Sequence, residues 1–438
     1  MLFCTLAHLD DLVSEWQILP VGNLRETNQP PLLDGPLQRR HLLSAGLLGA
    51  VAATVGACSR RSGTAPDNQG LARGEDLVFG ASLELTGIGT VTGTAQQRAL
   101  QIALDDLNTN GVTVGKTVRR VRLVVKDNAS DPPTAASIAR DFLGAKMSAI
   151  IGGGLASTSI AMANVIEPQG LLMISTSAAD TVVKPEAKHR YVFKLGPNAT
   201  DVVKLMLVAV RREDQARGVT RIGLLAGSND HGDAGVDAVR KGLTVDGRKI
   251  VSVERLSDGA QDYEAVARKV ARTNPDVVVI WAISPVSGLA ARAMRAVEYT
   301  GPLIFDSGAA SDDSLSPDNR TAMDGSYLVG PQILGGSPAV ANTPNAVARR
   351  EFYERYSRAY GTFSGLGIYA ADALDLLADG ARRAGTTTSL GIRDQLEATP
   401  FEGLAGTYTF TTGSHGGVQP DMLALFSMQP HGGWLPLT

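Results

Sequence analysis

Val55-Gly56-Ala57-Cys58 is the stretch of this chain whose residue types and spacing most directly imply chemistry. A cysteine behind small residues is the pattern at which a thiol receives a diacylglyceryl group and the chain is cut immediately before it. Gly56 and Ala57 suit a tight peptidase groove that a bulky side chain would not enter. Upstream stand Arg39-Arg40 and an apolar run, residues 42–57, about as long as a signal h-region. The run is rich in Gly and Ala and shorter than the about 20 strongly apolar residues of a membrane span. Residues 1–57 therefore read as an export leader of twin-arginine type, although Gln38 stands where Ser or Thr is commoner, and Cys58 reads as the lipidation site. Residues 1–36, with Cys4, Trp16 and several prolines, fit badly ahead of such a signal. They read as a start placed too early or an extended leader discarded with the rest. Cys4 and Cys58 are the only cysteines, so the processed chain would keep no thiol for catalysis, a disulfide or a metal.

Other candidates lie further along. Gly111-Val112-Thr113-Val114-Gly115-Lys116-Thr117 has three residues between its glycines where a P-loop needs four, and precedes a strand instead of following one; it reads as a turn. Ile151-Gly152-Gly153-Gly154 ends a strand ahead of a helix but lacks dinucleotide-binding spacing. The Ser157-Thr158-Ser159 that follows reads either as an ordinary helix cap or as a carboxylate-sized anion site. Ser175-Thr176-Ser177-Ala178-Ala179-Asp180 ends the next strand with more hydroxyls, and the two turns could face one crevice. His231 reads as a solvated turn residue or a ligand contact. The other histidines lack metal-ligand spacing, and no nucleophile elbow is present. No enzyme, cofactor or metal is expected.

These residues need elements to position them. Residues 58–75 are polar and aperiodic, a flexible tether. From residue 76 short β-branched runs alternate with helical stripes, as in parallel sheets covered by helices. Strands are expected over 77–83, 121–126, 149–151 and 171–174; helices carry the stripes Ala95, Ala99, Ile102, Ala103, Leu107 and Ala135, Ile138, Ala139, Phe142, Leu143, and occupy 159–167. A second series begins near residue 200: strands at 222–225, 250–253, 277–281 and 303–305, and helices from 233, over 263–272 and after 287. Residues 352–383 read as largely helical, and 406–410 and 422–428 as extended. Two consecutive α/β series imply two lobes. A net charge of -3 without a basic stripe argues against nucleic acid.

Leu85-Thr86-Gly87, Ala103 to Asn108 (ALDDLN), Lys126-Asp127-Asn128-Ala129-Ser130-Asp131-Pro132, Ile151-Gly152 with Ser157-Thr158-Ser159, Leu172-Met173-Ile174-Ser175, Tyr191-Val192-Phe193-Lys194 and Tyr369-Ala370-Ala371-Asp372-Ala373-Leu374 stand in this order. Together they resemble the type I periplasmic binding proteins, in the leucine/isoleucine/valine-binding branch that feeds ABC importers. The resemblance implies an α/β fold of two lobes joined by three hinge crossovers, with residues 76–200 and 332–414 in one and 201–331 and 415–438 in the other. It implies a small-molecule ligand enclosed between them, ABC permease subunits as partners, and an extracytoplasmic monomer held to the membrane by lipidated Cys58. A ligand-sensing receptor subunit of the same fold is the alternative.

By position the resemblance assigns the ligand's carboxylate to Ser157, beside Thr158, and to Ser177, Ala178 and Ala179, with the Ala178 carbonyl accepting from its amino group. The chain departs from the family at several of these positions. A family threonine falls on Ala179, the aromatics on Thr92 and His231, the acid that pairs with the ammonium on Gly308, and the disulfide cysteines on Ser130 and Leu155. Asp306, two residues before Gly308 on what reads as the same strand, would present its side chain on the same face and supply the missing acid. Ser284 completes the candidate ligand set. An amino acid or close derivative is expected, with a carboxylate, amide or other small polar compound as the alternative.

Overall fold

A computed structural model describes residues 72–259, 262–336, 343–429 and 433–437; the leader, Cys58 and all but the end of the tether lie outside them. The first lobe is built on β1 (Ala72–Arg73), β2 (Leu77–Leu83), β3 (Val112–Val114), β4 (Thr117–Arg119), β5 (Val121–Asp127), β6 (Ala149–Gly152), β7 (Met173–Ser175) and β8 (Val192–Lys194). Five of these form a wholly parallel sheet in the order β5-β2-β6-β7-β8. The interior strand β2 is buried along nearly its whole length, because helices cover both faces of a parallel sheet. Residues 111–117 are the β3–β4 hairpin, where Gly115 takes a φ of +61°, so the reading as a turn holds.

α1 (Thr90–Asn110) buries Ala95, Ala99, Ile102 and Ala103, the expected stripe. α2 (Pro132–Gly144) starts where Asp131 accepts from the Thr134 amide at 2.9 Å and prolines open the first turn. It lays Phe142 over Gly80 of β2, where a Cβ would sit 2.8 Å from the ring. α3 (Ala156–Ile166) follows β6.

The second sheet holds β9 (Arg221–Gly227), β10 (Lys249–Leu256), β11 (Val277–Trp281), β12 (Leu303–Phe305) and β13 (Tyr327–Pro331). After the short pair β14 (Phe401–Glu402) and β15 (Thr407–Tyr408), the chain adds β16 (Leu423–Met428) and β17 (Trp434–Pro436). The order is β10-β9-β11-β12-β13-β16-β17, and only the β13–β16 and β16–β17 pairings are antiparallel. α4 (Ala199–Arg217) packs on this sheet and on α5 (Asp230–Gly242), which Asn229 caps by accepting from the Gly232 amide. α6 (Tyr263–Ala271), α7 (Val286–Ala296) and α8 (Pro317–Ala322) belong to the same half. α9 (Pro344–Tyr360), α10 (Ile368–Ala384) and α11 (Ser389–Ala398) return to the first lobe, where α9 and α10 pack on α1.

The chain therefore passes between the sheets three times: after β8, after β13 and ahead of β16. Gln332–Gly335 still packs on the second sheet, and His415 stacks on Phe193 of the first with ring centroids 3.9 Å apart. The helix read over 352–383 is two helices, because Gly361 stops α9 with a φ of +87°. β13, α8 and α11 are not apparent from the sequence pattern.

Candidate functional site

The carboxyl ends of the parallel strands of the two sheets face each other, the place where open α/β sheets receive ligands. Between them lies a cavity of about 30 Å³. The first lobe contributes Thr92, Gln96, Gly154, Thr176, Ala178, Pro197, Leu366 and Tyr369, and the second His231, Ile283, Ser307 and Gly308.

α1 carries Thr92 and Gln96 one helical turn apart, so both face inward. Gln96 Nε2 donates to Thr176 Oγ1 at 2.8 Å, and that hydroxyl donates to the Gly152 carbonyl at 3.2 Å. Gln96 Oε1, Thr92 Oγ1 and the Tyr369 hydroxyl are buried with no hydrogen-bond partner. Burial pushes the Tyr369 phenol up, so it keeps its proton.

On the facing wall the second residue of α5 is His231, buried, with its Nε2 2.8 Å from Asp306 Oδ2. The Asp306 carboxylate also accepts from the Ala282 amide at 2.9 Å and the Gly308 amide at 2.9 Å. It caps a one-turn 3₁₀ helix at Ser307–Ala309, so the strand ends at Phe305 and the expected period-2 pairing of Asp306 with Gly308 does not form. Asp306 does not line the cavity itself; its partners His231 and Gly308 do. Gly308 touches it directly, and a side chain there would meet the Ala282 carbonyl at 2.8 Å, which accounts for the absence of an acid.

Of the residues singled out from the sequence, Thr92, Ala178, His231 and Gly308 line the cavity. The others are placed elsewhere. Ser157 is exposed on the first turn of α3, because Ala156, Thr158 and Ser159 turn that helix's buried face inward. Thr158 donates to Glu84 at 2.6 Å. Ser177 accepts from the Ala179 amide at 3.2 Å within its own turn, and Ala179 packs into the first lobe's helical layer. Ser284 accepts from Ser311 at 2.7 Å and stitches two second-lobe loops. The two hydroxyl-rich turns meet each other: Ser175 Oγ donates to Ser159 Oγ at 2.8 Å.

Two buried charges stand behind the first-lobe wall. The Glu84 carboxylate accepts from the Gly154 amide at 2.9 Å, Thr158 Oγ1 at 2.6 Å and Asn128 Nδ2 at 3.3 Å. Burial pushes this carboxyl up and those donors pull it back. Lys194 Nζ, fully buried, donates to the carbonyls of Gly196 at 2.9 Å, Pro197 at 3.2 Å and Ala178 at 3.4 Å. It lies 3.1 Å from Asp180 Oδ1, an ion pair by distance without hydrogen-bond alignment. Burial pulls the Lys194 ammonium down, and Asp180 opposes this. Among the described residues no group of His, Cys, Asp and Glu is arranged to hold a metal.

Sequence reading passed over Gln96, Tyr369 and Glu84. Gln96 was within reach as the i+4 neighbour of Thr92, and Tyr369 opens a motif already singled out. Glu84 carried no local signal: its partners lie 44 to 74 residues away.

Residues 77–430 match the periplasmic binding protein family, and the chain belongs to it, in the type I fold and the branch of its Leu/Ile/Val-binding relatives. This is a family of binding proteins, not enzymes. The Leu/Ile/Val-binding protein homolog 2 of Brucella abortus is 22% identical over 341 residues, covering 76% of this chain and 86% of that protein. An extracellular ligand-binding receptor from Rhodopseudomonas palustris HaA2 superposes with a TM-score of 0.73 at 20% identity, covering 82% of this chain and 99% of that one. The branched-chain amino acid transporter substrate-binding protein LivJ of Streptococcus pneumoniae, in complex with isoleucine, gives 0.70 at 21% identity, covering 83% and 99%. Membership implies an extracytoplasmic place of work. No described helix is long and apolar enough to cross a membrane.

Proposed function

We propose that the chain is a lipid-anchored solute-binding protein of an ABC importer, which closes its two lobes around one small polar ligand and presents the closed form to permease subunits as a monomer. The observation that carries this reading is the cavity walled by residues of both lobes, with unpartnered polar atoms facing in. A ligand touching both walls stabilises the closed arrangement over the open one by its differential contacts. Arg98 of α1 reaches Asp312 of the second lobe at 3.4 Å, a contact that opening would break. The Leu/Ile/Val-binding and transporter names of the relatives support delivery to a permease, and the motif at Cys58 supports the anchor.

The test of the binding role is native mass spectrometry of the purified chain, followed by small-angle scattering with the retained compound removed and added back. Compaction on addition is the expected result, and a constant radius of gyration at saturation refutes hinge closure. Cys58→Ala should accumulate an uncleaved precursor; maturation to the wild-type size with membrane retention refutes the anchor.

A further inference from the structure

The solute-binding reading can be narrowed to a ligand class, because the buried charges behind the cavity wall are already paired within the chain and none of them lines the cavity. The start of α3 has no side-chain cap of its own, since its N-cap is Leu155. The Gly154 amide just ahead of it and the Thr158 hydroxyl of its first turn both point to the Glu84 carboxylate, and Asn128 adds a third donor. Every listener in that shell is a donor, the surroundings of an anion, and the positive end of the helix favours one there. The backbone is shaped around it. A Cβ on Gly153 would stand 2.2 Å from Glu84 Oε2, and one on Gly93 would stand 2.1 Å from the Glu84 carbonyl. A ligand carboxylate brought to Gly154 would therefore find the amide engaged and a like charge behind it.

The opposite charge is provided for in the same way. The Ala178 and Pro197 carbonyls, whose residues line the cavity, already accept from the Lys194 ammonium. No Asp, Glu, Lys or Arg lines the cavity among the described residues, and its one titratable ring apart from the phenol, His231, is tied to Asp306. Neutral groups remain. Thr176 donates to Gly152 and so accepts from Gln96 Nε2, which leaves Gln96 Oε1 as a bare acceptor that asks for a donor. Thr92 Oγ1 and the Tyr369 hydroxyl can each donate or accept.

We infer that the cleft takes an uncharged polar compound, of the carboxamide type, offering a donor to Gln96 and an acceptor to Thr92 or Tyr369, and that Glu84 is the residue that excludes a free carboxylate. This departs from the amino-acid expectation and rests on the solute-binding reading above. Calorimetric titration of the full chain with three probes sharing one tail tests it: isovaleramide, isovalerate and leucine. The wild type should bind the amide at least tenfold more tightly than either acid. Glu84→Ala, which frees the Gly154 amide, should raise isovalerate at least tenfold relative to the amide. Should that variant not fold, Glu84→Gln keeps the volume, removes the charge and should shift the ratio in the same direction. Isovalerate or leucine bound by the wild type as tightly as the amide, no binding of the amide, or a ratio untouched by the Glu84 variant overturns the inference. Native mass spectrometry of the same preparation separates the two failures. A retained acid or zwitterion refutes the uncharged ligand alone, whereas a chain that retains nothing and takes no probe refutes the binding role with it.

Discussion

The two walls of the cleft handle buried charge differently. The first lobe encloses Glu84, Lys194 and Asp372 completely, and none of the three lines the cavity. Each is held by groups of its own lobe: Glu84 by donors around α3, Lys194 by carbonyls and Asp180, and Asp372 by the Leu404 and Ala405 amides and the Tyr408 hydroxyl. The second lobe encloses Asp306 as completely but couples it to the cavity through His231. One wall thus keeps its charges for shape and offers neutral groups, while the other braces a ring against an acid. A buried ion needs close partners wherever it sits, and the difference lies in whether a partner reaches the ligand.

The sharpest way to break the comparison is at Lys194. Lys194→Ala leaves Asp180 without its buried partner and three carbonyls without a donor, and should cost about 3–5 kcal/mol of stability. Denaturant unfolding reads this, and a near-wild-type midpoint would mean that the first wall does not depend on its enclosed charge.

Asp372 gives the next effect, read as a pH profile. Burial raises its carboxyl to about 6 in the folded chain, against donors that pull it down. The unfolded carboxyl ionises first, near pH 4. The folded chain therefore holds the proton more strongly between about pH 4 and 6, and stability falls as pH rises through that window. Asp372→Asn carries no such charge. Its stability relative to wild type should climb by roughly 3 kcal/mol between those pH values, and a constant difference would show that burial does not raise this group.

Gln96→Leu tests the neutral wall directly. Losing the bare acceptor should weaken ligand binding by about 1–3 kcal/mol. The companion change His231→Leu on the opposite wall should act on affinity and also on stability, because it strands Asp306. Equal stability losses in the two variants would erase the distinction between the walls.

Arg98→Ala is the smallest. Both side chains of the Arg98–Asp312 pair are about a third exposed, at 31% and 29%, so its loss should weaken closure by no more than about 1 kcal/mol. The loss should shrink further in high salt. A salt-independent loss of affinity would point to a role for Arg98 beyond this ion pair.

The alternation of β-branched runs with helical stripes was enough to place two parallel-rich sheets, since burial on both faces imprints itself on consecutive residues. The ordered motifs were enough for the family. By position the resemblance also named Thr92, Ala178, His231 and Gly308, which the structure places in the cavity lining. What each residue does there was decided only by the tertiary structure. Glu84 meets Gly154 across 70 residues, Gln96 meets Thr176 across 80, and His231 meets Asp306 across 75. A local pattern records which face of an element is buried. It does not record which polar atom arrives from another element to satisfy the groups on that face, and in this protein that arrival determines which polar atoms are left for a ligand.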